Sequence, residues 1–568
     1  MICTTKNHAL IHCLISFCLF LGICSPLTAQ TEDEFQPVLV ASISSVDELM
    51  SDLDALASMV GMEGVDWAAL TQNEATFEAI DKTRPIGAIV RTNGTEFETL
   101  AFIPVKDFQT LLATLQPYIG EASDNGDGIY EIEQPLSLYV KHENGWAFIS
   151  QDMDRFMDLP ADPASLLGQL HKEYDVGVRA HIHNVPEIYR QMTLGWIQFS
   201  VQEELSQLDG LEDSQSEMRR QWMNNSLQQM NALINETDTI SVGWTVDQDQ
   251  RQIEMDLTMT AVEGTGSAER MKKIKLVTSQ HAGFLLDDAA FKMHFHTEMA
   301  DDDIQNTIQM LNGVKVGALG FLEQDDEFSN EESREQAQQV LGGLFDIILS
   351  TVESGVLEGG VAVIANQSEL TVVAGGRLQD GDVFKNSLKK LADLVEREDG
   401  APKVQWAAGR IGSVELHELY LPIEDENVAK LLGDQLHLVM GTGARQGYLA
   451  LGNGADKLLQ RVIEESAKRT EEMLPPSQVT LAMSPVVEYL ASLEDSFSMS
   501  EGLADVALGE NGRDRVIVET LPIEGGALSR IVVEEDALKV IAEIAQMVYA
   551  QIQAAAIGQF QQEFDPEF

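Results

Sequence analysis

Cysteine is confined to the first 24 residues of this 568-residue chain, at Cys3, Cys13, Cys18 and Cys24. Everything downstream is therefore excluded from disulfides, thiolate-built zinc sites and thiol nucleophiles. Stability must come from an apolar core, which a chain of this length can bury across more than one domain. Cations are scarce as well: 37 Lys and Arg stand against 92 Asp and Glu, a formal net charge of −55. Such a surface repels phosphate backbones, so no nucleic acid and no anionic membrane surface is expected as a partner. The carboxylates are dispersed, with small clusters at Asp301-Asp302-Asp303 and Asp325-Asp326-Glu327, in a chain that is 44% apolar. That is a globular composition rather than an acidic disordered tail.

Long apolar runs are missing too. The only early one, Cys13 to Cys24, follows Lys6 and precedes the helix-breaking Ser25-Pro26-Leu27-Thr28-Ala29. A span across a bilayer needs about 20 apolar residues. A weakly basic start, a short apolar core and a small residue at the cut read instead as a secretory signal, cleaved after Ala29. A lipoprotein anchor at Cys24 would want a small residue before it, and Ile23 stands there. The expectation is a secreted or periplasmic protein with no transmembrane segment after cleavage, held without disulfides.

What is present is a repeated order of elements. Gly87 to Val90 and Thr99 to Val105 read as strands around an Asn93-Gly94 turn, followed by a helix with Phe108, Leu111, Leu112 and Leu115 on one face. Val361 to Ile364, Leu370 to Ala374 and a helix with Phe384, Leu388 and Leu391 repeat this. Gly145-Trp146 then falls on Gly447-Tyr448, Arg155-Phe156 on Lys457-Leu458, and Glu187 on Glu488. The second copy carries an insertion near Val395 to Pro402. Each copy ends in a hairpin: Val242, Trp244 and Val246 alternate with polar residues, as do Ile253, Met255, Leu257 and Met259. Alternation of this kind predicts an antiparallel pair with its apolar face buried and its polar face wet. Further helices are predicted over Asp47 to Val60, Ser216 to Ile234 and Asp536 to Phe560. The fold class is α+β: two tandem related domains, residues 30–278 and 279–535, each an antiparallel sheet covered by helices on one face. A C-terminal helix and tail occupy 536–568.

The signal segment, Glu236-Thr237-Asp238, the strand Ser241 to Asp247, and Ile253 to Gly264 with its closing Thr-Ala-Val-Glu-Gly together resemble uncharacterised families of large secreted bacterial proteins. The resemblance covers about thirty residues and the element order. It implies an exported bacterial protein and no particular activity.

Two His-x-His pairs are the candidate metal ligands: His181 with His183, and His294 with His296. Residues two apart on a strand point the same way, so each pair can offer two imidazoles to one divalent ion. Against this, Val176, Val178, Ala180 and Ile182 mark the apolar face of one strand and Phe291, Met293 and Phe295 that of the other. The histidines are then left on the solvated side, with Arg179 or Lys292 beside them. Asp124-Asn125-Gly126-Asp127-Gly128 and Asp380-Gly381-Asp382 lack the spaced ligands of a calcium loop and read as turns. Ser387-x-x-Lys390 has no companion motif, there is no Gly-x-Ser-x-Gly elbow, and Gly441-Thr442-Gly443 lacks a third glycine. The reading is an exported non-catalytic protein with a binding or structural role, its partner an unknown protein, polymer or cation. The alternative is a metal-dependent hydrolase using the histidine pairs.

Overall fold

A computed structural model describes residues 35–62, 78–132, 137–207, 214–324, 331–366, 369–395, 404–423, 429, 434–492 and 512–548. The signal segment, the inserted stretch near Val395 to Pro402 and the end of the C-terminal helix fall outside them wholly or in part. The chain is mixed α+β. It divides into two compact units, residues 1–196 with 231–267, and residues 197–230 with 268–568. Among the described residues no helix is long and apolar enough to cross a membrane.

The first ten strands are β1 (Gln36–Ile43), β2 (Ile86–Thr92), β3 (Phe97–Pro104), β4 (Ala122–Asp124), β5 (Ile129–Ile132), β6 (Leu138–Glu143), β7 (Trp146–Ser150), β8 (Val176–His181), β9 (Thr237–Asp247) and β10 (Gln252–Ala261). They pair antiparallel in the order β4-β5-β6-β7-β3-β2-β1-β8-β9-β10. The later ten are β11 (Phe291–Glu298), β12 (Val356–Asn366), β13 (Glu369–Arg377), β14 (Gln405–Ile411), β15 (Val414–Pro422), β16 (Gln435–Thr442), β17 (Gln446–Gly452), β18 (Ser477–Ala482), β19 (Arg515–Ile523) and β20 (Gly526–Glu534). Their order is β14-β15-β16-β17-β13-β12-β11-β18-β19-β20, again antiparallel throughout. Rank for rank, the two orders are the same.

In the first unit helices α1 (Val46–Met59) and α2 (Phe108–Ile119) cover one sheet face. Val46, Phe108 and Leu111 pack there with Ile86, Val140 and Ala147. Each begins on a side-chain cap: Ser45 accepts from the Glu48 amide and Asp107 from the Thr110 amide. The opposite face buries Phe102, Trp146 and Phe148 under short 3-10 turns that contribute Phe156 and Leu167. Helices α3 (Glu187–Gln207) and α4 (Ser214–Glu236) lead from β8 to β9, and their residues 197–230 group with the second unit.

In the second unit α5 (Asp301–Gln324) and α6 (Glu331–Glu353) lead from β11 to β12, and Lys315 pairs with Asp346 across them at 2.6 Å. Helix α7 (Gly381–Val395) starts where the Asp380 carboxylate accepts from the Asp382 and Val383 amides, so Asp380-Gly381-Asp382 is a cap. Where the first unit has a 3-10 turn around Phe156, the second has a full helix, α8 (Ala455–Lys468). Its Leu458, Leu459 and Val462 pack on Val373, Val439 and Ala450. Helix α9 (Met483–Ser492) follows β18, and the chain is helical again from 535 to 548.

The β9–β10 hairpin corrects the sequence expectation. Its period-2 pattern is present, but in mid-hairpin the faces are exchanged: Ser241 and Asp256 are buried, whereas Val242 is 54% and Leu257 48% exposed, while Val246 near the turn is buried as expected. Val242 and Leu257 stand directly opposite one another. The inward polar groups are satisfied by side chains, the Tyr174 hydroxyl donating to Asp256 at 3.1 Å and Arg179 Nε to Ser241 at 2.8 Å. Gly243 leaves room for the Tyr174 ring, which a Cβ would meet at 2.3 Å.

Candidate functional site: a buried histidine and carboxylate cluster

The two histidine pairs have different fates. Strand β8 stops at His181, and Ile182–Asn184 forms a 3-10 turn, so His183 leaves the strand and is exposed. His181 and His183 therefore do not share a strand face, contrary to expectation. Burial, with Arg179 nearby, holds the His181 pKa below the ordinary histidine value. His294 and His296 do lie on one face of β11, but that face is inside: His294 is fully buried. The first pair belongs to the first unit and the second pair to the second.

Strand register places Gly360 opposite His294 and Glu358 opposite His296 on β12. The segment before β11 folds over this face. Ser279 Oγ and the Gln280 amide each donate to Glu358 Oε1 at 2.7 Å, and Ser279 Oγ accepts from the His281 amide at 2.8 Å. His281, 1% exposed, has Nδ1 at 3.1 Å from Glu358 Oε1, close enough for an ion pair though misaligned for a hydrogen bond. His296 Nδ1 lies 4.0 Å from Oε2. The cover is fixed by packing. Phe284 sits where a Cβ on Gly360 would be, Tyr448 where a Cβ on Gly375 would be, and Gly283 presses on the α8 backbone. Arg469 then donates to the carbonyls of Ala282 and Leu285 at 3.0 and 3.1 Å.

The electrostatics follow from that closure. Burial pushes His294 down to about 4, with His281 and His296 adding to the effect and Glu358 opposing it. Burial alone would raise Glu358, but the His281 imidazole close beside it and the hydrogen bonds from Ser279 and Gln280 outweigh it and bring the carboxyl to about 2. Among the described residues neither ring nitrogen of His294 has a hydrogen-bond partner. A neutral imidazole keeps one N–H, so an unpaired donor stays buried at a cost of about 1–3 kcal/mol. His417, also fully buried, shows the contrast: its Nδ1 accepts from the Ala407 amide at 3.1 Å and its Nε2 lies 3.0 Å from Thr442 Oγ1. His294 is unsatisfied and His417 is not.

The first unit holds a different buried polar site. Asp52 on α1 and Asp175 just before β8 are each 4% exposed. Asp175 Oδ2 accepts from the Val246 amide at 2.8 Å, and Asp52 Oδ1 from Gln248 Nε2 at 2.7 Å. Burial raises Asp175 to about 7 against that amide bond, with the Asp52 carboxyl pushing the same way. Two surface clefts lie elsewhere, one lined by Arg91, Glu98 and Arg155, the other by Asp288, Lys457 and Arg461. In the first, Glu98 binds both arginines at 2.7 Å; in the second, Asp288 binds Arg461 bidentately. Glu98 with its two arginines, and Asp288 with Arg461, are thus already paired within the chain.

Sequence reasoning found His294 and His296 but missed Glu358, His281, Asp52 and Asp175. Glu358 had a readable signal: it is the one carboxylate in the apolar run Val356 to Ile364, beside two glycines. The Ser387-x-x-Lys390 match sits on α7 with Ser387 buried against Gly343, as a helix-packing serine would be. Comparison with protein-family models, curated proteins and solved structures finds no match to this chain.

Proposed function

We propose that this chain is an exported, extracytoplasmic protein with a binding or structural role, built from two related α+β domains, and that its contact surfaces are apolar side chains carried on helices. One observation carries the reading: polar groups capable of chemistry are sealed inside, while large apolar side chains stand outside. His281, His294, Glu358, Asp52 and Asp175 are all buried. On α3, α4 and α5, by contrast, Trp196, Phe199, Trp222 and Phe321 are each 68–72% exposed. Exposed apolar side chains concentrated in this way mark interaction surfaces. The secretory signal, the acidic surface and the resemblance to secreted bacterial families support the address. The test is retention of a component from envelope or culture-medium fractions by the immobilised protein. Retention that persists at high salt and is lost in Trp222→Glu and Phe321→Glu supports the reading. Retention of nothing, or retention indifferent to both substitutions, overturns it.

A second reading, the metal-dependent hydrolase, draws on the unpartnered nitrogens of His294 next to His281, His296 and Glu358. Buried orphan polar atoms are places where an ion or a water can sit. As they stand, the described residues form no group of three His, Asp or Glu placed to ligate one ion, so these rings would have to turn to do so. Stoichiometric zinc or manganese in the purified protein, lost in His296→Ala, supports this reading. Metal-free protein in which His181→Ala and His296→Ala match wild type sinks it.

A further inference from the structure

Strand β11 sets three polar side chains in a row on its covered face: Lys292, His294 and His296. Lys292 is 7% exposed, yet among the described residues its ammonium group makes no hydrogen bond and no ion pair. Register places Thr480 opposite it on β18, and the Thr480 hydroxyl, on a residue 2% exposed, is unpartnered too. Two residues on, Ala482 faces Arg515 at the start of β19, so Lys292, Thr480, Ala482 and Arg515 share one sheet face. Arg515 reaches the turn that follows residue 286, its Nη2 donating to the Asp287 carbonyl at 3.1 Å.

The first strand set shows what a cation at this place has when the chain supplies its partner. Arg179 stands two residues before the end of β8, as Thr480 does before the end of β18. Ser241 faces Arg179 on β9 and accepts from its Nε at 2.8 Å. On β19 the residue facing Thr480 is Ile517, which can accept nothing. The second set thus keeps a cation on this row, moved one strand over to Lys292, and lacks the acceptor. A buried charge without a partner is strongly destabilising, so the row calls for an anion.

We infer that Lys292 and Arg515 form a binding site for a small monocarboxylate, seated over Ala482 with its oxygens shared between the two cations and the Thr480 hydroxyl. Charge decides the class of ligand. Arg515 and Arg469 act on Lys292 as like charges, opposed by Asp287 and Asp288. Arg469 is already held by Glu472, and Asp288 by Arg461. What remains is Lys292 and Arg515 against Asp287, with Glu534 accepting from the Arg515 amide at 3.0 Å rather than from its guanidinium. That balance takes one negative charge; a phosphate dianion would bring a second one beside Asp287. Burial decides the size. With Lys292 93% enclosed, a small acid can reach the ammonium group and a polymer cannot. The site goes beyond the contact-surface reading and does not depend on it.

Amide exchange of the full chain at neutral pH, in sodium acetate and in sodium chloride of equal ionic strength, tests it. At about 100 mM, acetate should slow exchange in β11, β18 and β19 roughly tenfold relative to chloride, the effect of a dissociation constant of about 10 mM. Strands β1, β8 and β9 should not respond. Lys292→Met keeps the apolar stem and removes the charge; Arg515→Gln keeps a donor for the Asp287 carbonyl. Each should abolish the difference between the two salts. Because the comparison is made within each variant, it stands even where a substitution alters the stability of the strands. A wild-type chain indifferent to acetate overturns the inference. So does slowing that persists in both variants, which would be a general salt effect, or slowing by phosphate that exceeds that by acetate.

Discussion

In the strand set β1 to β10 the long helical pair, α3 and α4, joins β8 to β9; in the set β11 to β20 the pair α5 and α6 joins β11 to β12. The neighbour order is the same, and among the described residues the connections at matching places are helical in both sets, with α1 between β1 and β2 and α9 between β18 and β19. The interiors differ. The first unit buries a carboxyl pair, Asp52 and Asp175, and the second buries histidines around Glu358. Antiparallel strand order tolerates such changes because pairing uses backbone groups, whereas the buried polar chemistry is set by single side chains. One scaffold thus carries two interiors with opposite proton preferences.

The largest effect should come from breaking the cover over the second interior. Phe284 is fully buried between Gly360 and Tyr448, and truncating such a ring costs about 3–5 kcal/mol. Phe284→Ala should accelerate amide exchange throughout β11, β12 and β17 while β1, β2 and β7 keep their protection. Equal acceleration in both sets would show that the two interiors do not fail separately.

His294→Leu comes next and runs the other way. Leucine fills a similar volume without an unpaired donor, so the second unit should gain about 1–3 kcal/mol at neutral pH. The variant should also lose part of its acid sensitivity. The folded His294 value, about 4, lies below the ordinary 6.5, so its contribution is complete above pH 6.5 and is lost as pH falls through 4. Glu358 acts in the same direction lower down: its stabilisation is complete above pH 4.5 and is lost as pH falls toward 2. A His294→Leu protein that is less stable than wild type would mean the imidazole has a partner in solution, water or ion.

The first unit should show the opposite slope. Asp175 is raised from 3.8 to about 7, so its contribution is complete below pH 4 and is lost as pH rises through 7. Amide exchange, corrected for its intrinsic pH dependence, should quicken in β8 and β9 from pH 5 to pH 8. Over the same interval β11 and β12 should hold or slow. Asp175→Asn should remove most of the alkaline loss in the first unit, because the amide carries no charge to bury and keeps an acceptor for Val246. Parallel slopes in the two units would contradict the comparison.

How much of this was readable beforehand depends on what kind of information each feature needs. Strand pairs such as β2–β3 and β12–β13 announce themselves through alternation and turn residues, as do helices such as α2 through apolar spacing. The shared face of His294 and His296 follows from strand geometry alone. Which face lies inside does not. In β9 and β10 the polar side is buried because Tyr174 and Arg179, distant in sequence, supply partners for Asp256 and Ser241. In β11 the histidine side is buried because residues 279–286 close over it. Periodicity identifies the residues that share a face, and only the covering segment decides which face is the core. Asp52 and Asp175 meet through a helix and a strand more than a hundred residues apart, a coincidence that local pattern cannot supply.

The smallest predicted effect tests the comparison most directly, because it should be equal in the two units. Helix α2 follows β3 and is capped by Asp107; helix α7 follows β13 and is capped by Asp380. Both carboxylates accept from first-turn amides, and both caps are exposed. The Thr110 amide and hydroxyl hold the Asp107 carboxyl below the usual range, as expected of a working cap. Asp107→Ala and Asp380→Ala should each lower the melting temperature by roughly 2–4 °C. Restoring the cap with Asn or Ser should recover most of the loss in either helix. If Asp380→Ala is silent while Asp107→Ala is not, the two helices share a position in the strand order without sharing the contacts that fix them there. The common order would then describe connectivity alone.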